Sequence, residues 1–245
     1  MTVFLFSQII FKAESINVFI KDIGNLIGIQ ETYISKNKFR INSKLELKKE
    51  KLASKFMEKY YAGSKSIIID LEVDSFYKID NDEKSYSVYK IDNYFRPLEE
   101  IKSKREMKGK LIIRDLKDCN YEFKFLFESD SIIAKICYKE FSVNSEINEF
   151  FINYNKKIQN NFDTRILGKL GIFSINNPFV NLLMSEIIKK SDLEKILRIK
   201  GYPYIVEIKY YNDTSLVYSY LSKVYQIQET GNLDVFKIDS NYIHK

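Results

Sequence analysis

Tryptophan is absent from this 245-residue chain, histidine occurs once and cysteine twice, and glycine (8) and proline (3) are scarce. The single histidine, His244, is the penultimate residue, which excludes catalytic triads and zinc sites that need well-anchored histidines. Cys119 and Cys137 are too few and too far apart for a zinc finger or an iron–sulfur cluster. No GxGxxG or GxxxxGK[ST] sequence occurs, so a Rossmann fingerprint and a P-loop are also excluded. Carboxylate and lysine chemistry remains, and we predict no cofactor and no metal.

Long hydrophobic runs are missing as well. No stretch approaches the roughly 18 apolar residues that a membrane-spanning helix needs. The apolar run in residues 1–14 has no basic residue before it and no small-residue cleavage site. With 45% hydrophobic residues, 29% charged residues and a net charge of +6, the composition is that of an ordinary globular protein. We therefore predict a soluble, cytoplasmic protein without a membrane partner, forming one domain over 1–245 with a weak division near residue 143.

The spacing of apolar residues predicts an α+β fold. Helical spacing predicts helices over 14–27 and 45–61, and three more that begin at Asn144, Asn177 and Ser191. Period-two alternation predicts an antiparallel meander of about five strands between 66 and 142, and further strands at 203–211, 216–228 and 233–239. The segment 216–228 also fits helical spacing. Because strands group with strands, we expect a central antiparallel sheet of five or more strands, flanked by helices from both ends of the chain.

Three carboxylates alternate in the sequence "IIIDLEVD". If this segment is one strand, Asp70, Glu72 and Asp74 project from the same face. Aligned carboxylates could hold Mg²⁺, which prefers oxygen ligands. They could equally form the solvated face of a half-buried strand, with nearby lysines relieving their repulsion.

A second pair of charged residues lies in "YPYIVEIKYYND", where Glu207 and Lys209 share one face of a predicted strand. The pair resembles the second half of the PD-(D/E)xK nuclease motif. That resemblance implies metal binding by Glu207 and activation of water by Lys209. The family places a metal-binding aspartate on the strand just upstream, whereas the upstream element here is predicted to be helical. An exposed pair of opposite charges on an ordinary strand is the alternative.

A lysine stripe marks the predicted helix 45–61. Residues 32–60 contain nine basic residues and three acidic ones. Five of these lysines fall within about 80° of one another on a helix, and they are Lys44, Lys48, Lys51, Lys55 and Lys59. The stripe could bind an acidic protein surface, track the phosphates of a nucleic acid, or be a solvated face in a lysine-rich chain.

Tyrosines cluster near the C-terminus, and tyrosine is favoured at protein interfaces because its ring is apolar and its tip polar. We assign four of them, with the lysine stripe, to partner binding: Tyr210, Tyr211, Tyr218 and Tyr220. The predicted function is a non-enzymatic binding protein that contacts an acidic protein, for example a toxin-immunity protein or a phage inhibitor of host defence. The alternative is a nucleic-acid-binding protein or Mg²⁺-dependent nuclease that uses Glu207 and Lys209, with Asp70 or Glu72.

Overall fold

The computed structural model describes residues 9–48, 62–91, 110–118, 120–127, 129–140, 144–158, 169 and 190–245. The strands in these residues are β1 (Ile9–Ile20), β2 (Gly24–Ile34), β3 (Lys38–Leu47), β4 (Gly63–Asp70), β5 (Ser75–Asp80), β6 (Ser85–Lys90), β7 (Lys110–Asp115), β8 (Asn120–Phe127), β9 (Asp130–Lys139), β10 (Tyr202–Asn212), β11 (Ser215–Thr230) and β12 (Ile243–His244). The described helices are α1 (Asn144–Ile158), α2 (Lys190–Arg198) and a 3-10 helix (Leu233–Phe236).

All twelve strands belong to one sheet, in the order β12-β6-β5-β4-β3-β2-β1-β11-β10-β9-β8-β7. The sheet consists of two antiparallel meanders, β1–β6 and β7–β11, which meet where β1 pairs with β11. The short strand β12 then returns to the far end and adds parallel to β6. The part of the protein that the structure describes is therefore nearly all β, and the predicted α+β class is wrong.

The predicted helix 14–27 is one source of that error. These residues form the end of β1, a turn and the start of β2. Ile16 and Ile20 are four residues apart, a spacing that places two side chains on one face of a helix and equally on one face of a strand. Pairing with β2 and β11 on both sides satisfies the backbone of β1 as a strand.

The predicted helix 45–61 is wrong at its start, because β3 continues to Leu47. Residues 49–61 lie outside the described residues. The predicted meander over 66–142 is present as two separate groups, β4–β6 and β7–β9, which lie at opposite ends of the sheet. The sequence 66–79, taken as one strand, is divided by a turn at residues 71–74.

The remaining predicted elements have mixed outcomes. The helices that begin at Asn144 and near Ser191 are confirmed as α1 and α2, and β10 confirms the strand at 203–211. The segment 216–228 lies within the strand β11, not a helix. A 3-10 helix takes the place of the strand predicted at 233–239. The helix predicted to begin at Asn177 lies outside the described residues.

The helices pack on one side of the sheet, which we call the packed face. Under α1, Phe39, Ile67 and Phe76 form one apolar cluster with the helix residues Phe150 and Tyr154, and the rings of Phe39 and Phe150 are stacked. A second apolar cluster forms under α2, and its buried members include Phe123, Ile136, Val206, Ile208 and Ile196. The helices thus cover different parts of the same face, one over each meander.

The C-terminal residues cover part of the opposite side, over the first meander. The 3-10 helix lies against β3, where Arg40 donates hydrogen bonds to the carbonyl oxygens of Val235 (2.7 Å) and Lys237 (3.0 Å). Further along, the Tyr242 hydroxyl donates to Asn81. The side of the second meander away from the helices, over β7–β11, is the part that we call the open face.

Buried tyrosines lead to a prediction about alkaline pH. Burial raises the pKa of Tyr138, Tyr202, Tyr218 and Tyr220 above the ordinary value of 10.0. The folded state thus favours each neutral phenol, so their contribution to stability is complete below pH 10 and is lost as pH rises through the raised values. Burial lowers and Glu14 raises the pKa of Lys12; the net shift is upward, so its charge also stabilises the fold up to alkaline pH.

We therefore expect an absorbance titration to show that these four buried tyrosines form phenolates only together with loss of the β-sheet circular-dichroism signal. Ionisation of all tyrosines near pH 10 with the circular-dichroism signal intact would show that these side chains are not buried.

Candidate functional site

Glu207 and Lys209 lie side by side on the open face of β10. Lys209 Nζ is 2.5 Å from Glu207 Oε1, and the two side chains are 39% and 34% exposed. The hydrogen bond that Lys209 donates to Glu207 raises the pKa of Lys209. A lysine that activates water as a base needs a lowered pKa. This pair has the opposite effect, because it stabilises the protonated form of Lys209.

The surroundings of this pair provide little for metal chemistry. Lys135 of β9 and Leu221 of β11 are opposite Glu207 on the two sides. Asp70 is on β4, five strand spacings from β10, which is roughly 24 Å along the sheet. Among the described residues, no group of three or more histidine, cysteine, aspartate or glutamate side chains could hold a metal ion.

The three carboxylates of "IIIDLEVD" do not share a strand face, so that prediction is wrong. Asp70 ends β4, and its Oδ1 accepts hydrogen bonds from the backbone N–H groups of Glu72 (3.0 Å) and Val73 (3.4 Å) in the turn that follows. Lys38 Nζ lies 2.9 Å from Asp70 and 3.0 Å from Glu72. Asp74 has a positive φ of 56°. The lysine occupies the position between the two carboxylates that a cation would need.

The lysine stripe does not form a helical face at its start. Lys44 is an exposed residue of strand β3, where Ile29 and Ser64 are its cross-strand neighbours. Lys48 follows the end of β3 and is also exposed. The remaining members of the stripe, Lys51, Lys55 and Lys59, lie outside the described residues.

The tyrosines assigned to partner binding are divided between the two faces. Tyr218 and Tyr220 are buried in the packed face, 6% and 1% exposed, where no partner could contact them without unfolding. Tyr210 is on the same face, and its hydroxyl donates to Asp130 Oδ2 at 2.8 Å. Tyr211 alone of the four is on the open face. Strand alternation explains the division between the faces. Tyr210 pairs with Tyr218 in register, and the next residue, Tyr211, points to the opposite face.

Basic residues from several strands lie side by side on the open face, and the sequence alone did not show that they are neighbours. The strand register aligns Arg114, Glu122, Lys135 and Glu207 in one row of alternating charge across β7, β8, β9 and β10. Lys124 and Lys209 follow in the next row, and Lys110 and Lys223 lie at the margins. Six basic side chains thus share the face with two acidic ones.

Pairing within the face neutralises both acids. Glu122 lies 3.6 Å from Arg114 and 3.4 Å from Lys124, and Glu207 is paired with Lys209. The other three basic residues, which have no ion pair within the described part of the chain, are Lys110, Lys135 and Lys223. Alternating charges are visible in each strand sequence, but the sequence does not show which strands are neighbours.

Aliphatic side chains lie between these charges. Leu126 and Leu221 are 38% and 44% exposed on the open face. Ile112, Ile133 and Ile205 are partly exposed between the lysines. The face is therefore a mixed surface of positive charge and aliphatic carbon.

Charged residues are also buried in the packed face, between the clusters under α1 and α2. Lys12 Nζ lies 3.0 Å from Glu14 Oε1, and the side chains are 4% and 3% exposed. Gln30 on β2 donates to the same Glu14 oxygen at 2.6 Å. Lys12 Nζ also lies 5.5 Å from the centre of the Tyr202 ring. Lys12 of the first meander thus contacts Tyr202 of the second, and Lys12, Glu14 and Gln30 are buried away from any partner.

Comparisons with known proteins give no family. No protein-family model matches the chain, and the comparison with curated proteins finds no match. Among solved structures, the chain is similar to PNGF-II, determined in a C2 space group, at 9% identity with a TM-score of 0.35. The similarity covers 98% of this chain and 31% of that one, so the chain spans about a third of the length of PNGF-II. A similarity this weak supports no argument about function.

The exposed pair on β10 gives a first test of these assignments. We expect Glu207→Gln and Lys209→Met each to lower the free energy of unfolding by less than about 1 kcal/mol, because exposed ion pairs contribute little. Urea unfolding followed by circular dichroism measures this. A loss of several kcal/mol from either variant would show that the pair has a structural role which its exposure does not explain.

The buried pair should respond very differently. Lys12→Met leaves the Glu14 charge buried without its cation, so we expect a loss of about 3–5 kcal/mol. The double variant Lys12→Met/Glu14→Gln buries no charge and should be more stable than Lys12→Met alone. Lys38→Met, at the partly exposed turn, is the matched control and should cost up to about 1 kcal/mol. Equal losses for Lys12→Met and Lys38→Met would contradict the assignment.

Proposed function

We propose that this protein is a non-enzymatic binding protein whose open face contacts an acidic protein. The observation that carries the proposal is the mixed surface of β7–β11, where six basic residues surround exposed leucines and isoleucines. This surface replaces the lysine stripe and the buried tyrosines as the contact region. We place the protein in the cytoplasm, the compartment that its low cysteine content favours.

The unpaired lysines of the open face give the charge preference. Lys135 and Lys223 lie on separate strands on either side of β10 and are fully available to a negative partner surface. Complementary charge of this kind steers association and disfavours partners of the same sign. The favoured partner therefore presents carboxylates that match these two positions.

The aliphatic residues favour a protein over a nucleic acid. Proteins that bind single-stranded nucleic acid stack the bases on exposed aromatic rings. Leu126 and Leu221, exposed on the open face, cannot stack on a base in this way, whereas the ring of Tyr225, 59% exposed on β11, could. Desolvated aliphatic side chains ringed by charged ones are instead typical of a protein interface. A protein bound there would act by steric blockade, as antagonists such as immunity proteins do.

Photo-crosslinking from the open face tests the proposal. A benzoyl-phenylalanine at position 221 should form a covalent adduct with a protein in the native cells, and the adduct should survive nuclease treatment. The same group at position 152, an exposed site on α1, is the matched control and should give no such adduct.

Charge reversal provides the second arm of this test. Lys135→Glu/Lys223→Glu should reduce the adduct at least about tenfold, which corresponds to roughly 1.4 kcal/mol of binding. Lys156→Glu/Lys200→Glu makes the same change in net charge on the helix side and should leave the adduct unchanged. A nuclease-sensitive adduct would identify a nucleic acid as the partner, and equal adducts from positions 221 and 152 would exclude the open face.

A further inference from the structure

Among the described strands, β7 is the last of the sheet, and none of them pairs with its outer edge. Within the described residues its hydrogen-bonding partner is β8 alone, and the sheet order places nothing beyond it. The opposite end of the sheet is different, because β12 is two residues long and closes on β6. There the His244 ring stacks on Tyr86, and Lys245 pairs with Glu83 at 2.6 Å. One edge is thus short and blocked, whereas the other is six residues long.

The register shows which backbone groups of β7 face outward. Beyond the strand end, Leu116 N–H donates to Asn120 O at 2.9 Å, and in an antiparallel ladder such bonds recur at every second residue. The even-numbered residues of β7 therefore bond to β8. Leu111, Ile113 and Asp115 direct their N–H and C=O groups away from the sheet. Three donors and three acceptors are available at spacings that match an added strand.

The side chains along this edge determine which residue types would suit an added strand. Lys110, Ile112 and Arg114 project on the open face, and Leu111 and Ile113 project toward the apolar cluster of the packed face. A strand paired antiparallel to β7 places alternate residues opposite these positions. Acidic residues would suit the positions opposite Lys110 and Arg114, and apolar residues those opposite Leu111 and Ile113.

We propose that β7 is the docking site for an extended acidic segment of the protein partner, which adds to the sheet as a further strand beside β7. This inference rests on the proposed function, because the same partner would contact the open face. Strand addition at β7 supplies backbone contacts that the face alone lacks.

A second copy of this chain is the less suitable occupant. In a symmetric antiparallel pair centred on Ile112, Lys110 of one copy would lie opposite Arg114 of the other. Like charges directly opposite each other on paired strands are destabilising. The same two residues that attract an acidic strand therefore oppose self-association through this edge.

A synthetic peptide tests the proposal directly. The probe is the capped peptide Thr-Glu-Val-Thr-Val-Glu-Thr, which places its glutamates opposite Lys110 and Arg114 and its valines opposite Leu111 and Ile113. Amide hydrogen exchange of the full chain, read by NMR, should show protection of Leu111, Ile113 and Asp115 when the peptide is added. N-methylation of the two valines removes their backbone N–H donors, which point toward β7, and should weaken binding at least about tenfold. N-methylation of the central threonine, whose N–H points away, is the matched control.

Charge exchange separates recognition from folding. Lys110→Glu/Arg114→Glu should lose the glutamate peptide and bind the version with lysines in place of both glutamates, a rescue that an unfolded variant cannot give. No binding of the glutamate peptide, equal binding of both N-methylated peptides, or protection elsewhere in the sheet would overturn the β7 proposal. Those outcomes would leave a crosslink from position 221 unaffected, so the two proposals fail separately. A concentration-dependent dimer that also protects the β7 amides would instead identify a second copy as the occupant.

Discussion

The pairing of β1 with β11 is the interaction on which the rest of the structure depends. Its register joins Ile9 to Thr230 and Ile20 to Tyr218, residues about 200 positions apart in the chain. Closing so long a loop costs conformational entropy, which the ladder and the apolar clusters on either side of it must offset. Without this pairing the two meanders would be separate sheets, each with a long exposed edge. With it, every strand except those at the ends is hydrogen-bonded on both sides.

The same region explains why charged residues can be buried at the centre of the molecule. Lys12 and Glu14 point into the packed face at the β1–β11 junction, and a register shift between Ala13 and Glu14 occurs at that point. A lysine in an apolar interior would lose its proton unless a negative group were held beside it. The alternation of β1 holds Glu14 two residues away on the same face, and Gln30 completes the hydrogen bonding. Such a pair adds little net stability compared with apolar residues, but it permits few other registers.

One arrangement recurs among the charged residues that the structure describes. Carboxylates on the sheet surface are repeatedly paired with lysines: Asp70 and Glu72 with Lys38, Glu207 with Lys209, and Glu122 with Lys124. Each pairing occupies carboxylate oxygens that a divalent cation would need. The charge left over is positive and lies on one face of β7–β11. That imbalance is suited to recognition of an acidic surface.

The sequence by itself determined the approximate position of most strands and the helices α1 and α2, because these follow from local periodicity. It mispredicted 14–27, since Ile16 and Ile20 fit both a helix and a strand, and only pairing with distant β11 selects between them. The carboxylates at 70–74 were misplaced because a turn interrupts their alternation. Neither the open face nor the β7 edge could be predicted, because both require knowing that β7, β8, β9, β10 and β11 are neighbours. Strand order depends on long-range hydrogen bonds and packing, which only the tertiary structure decides.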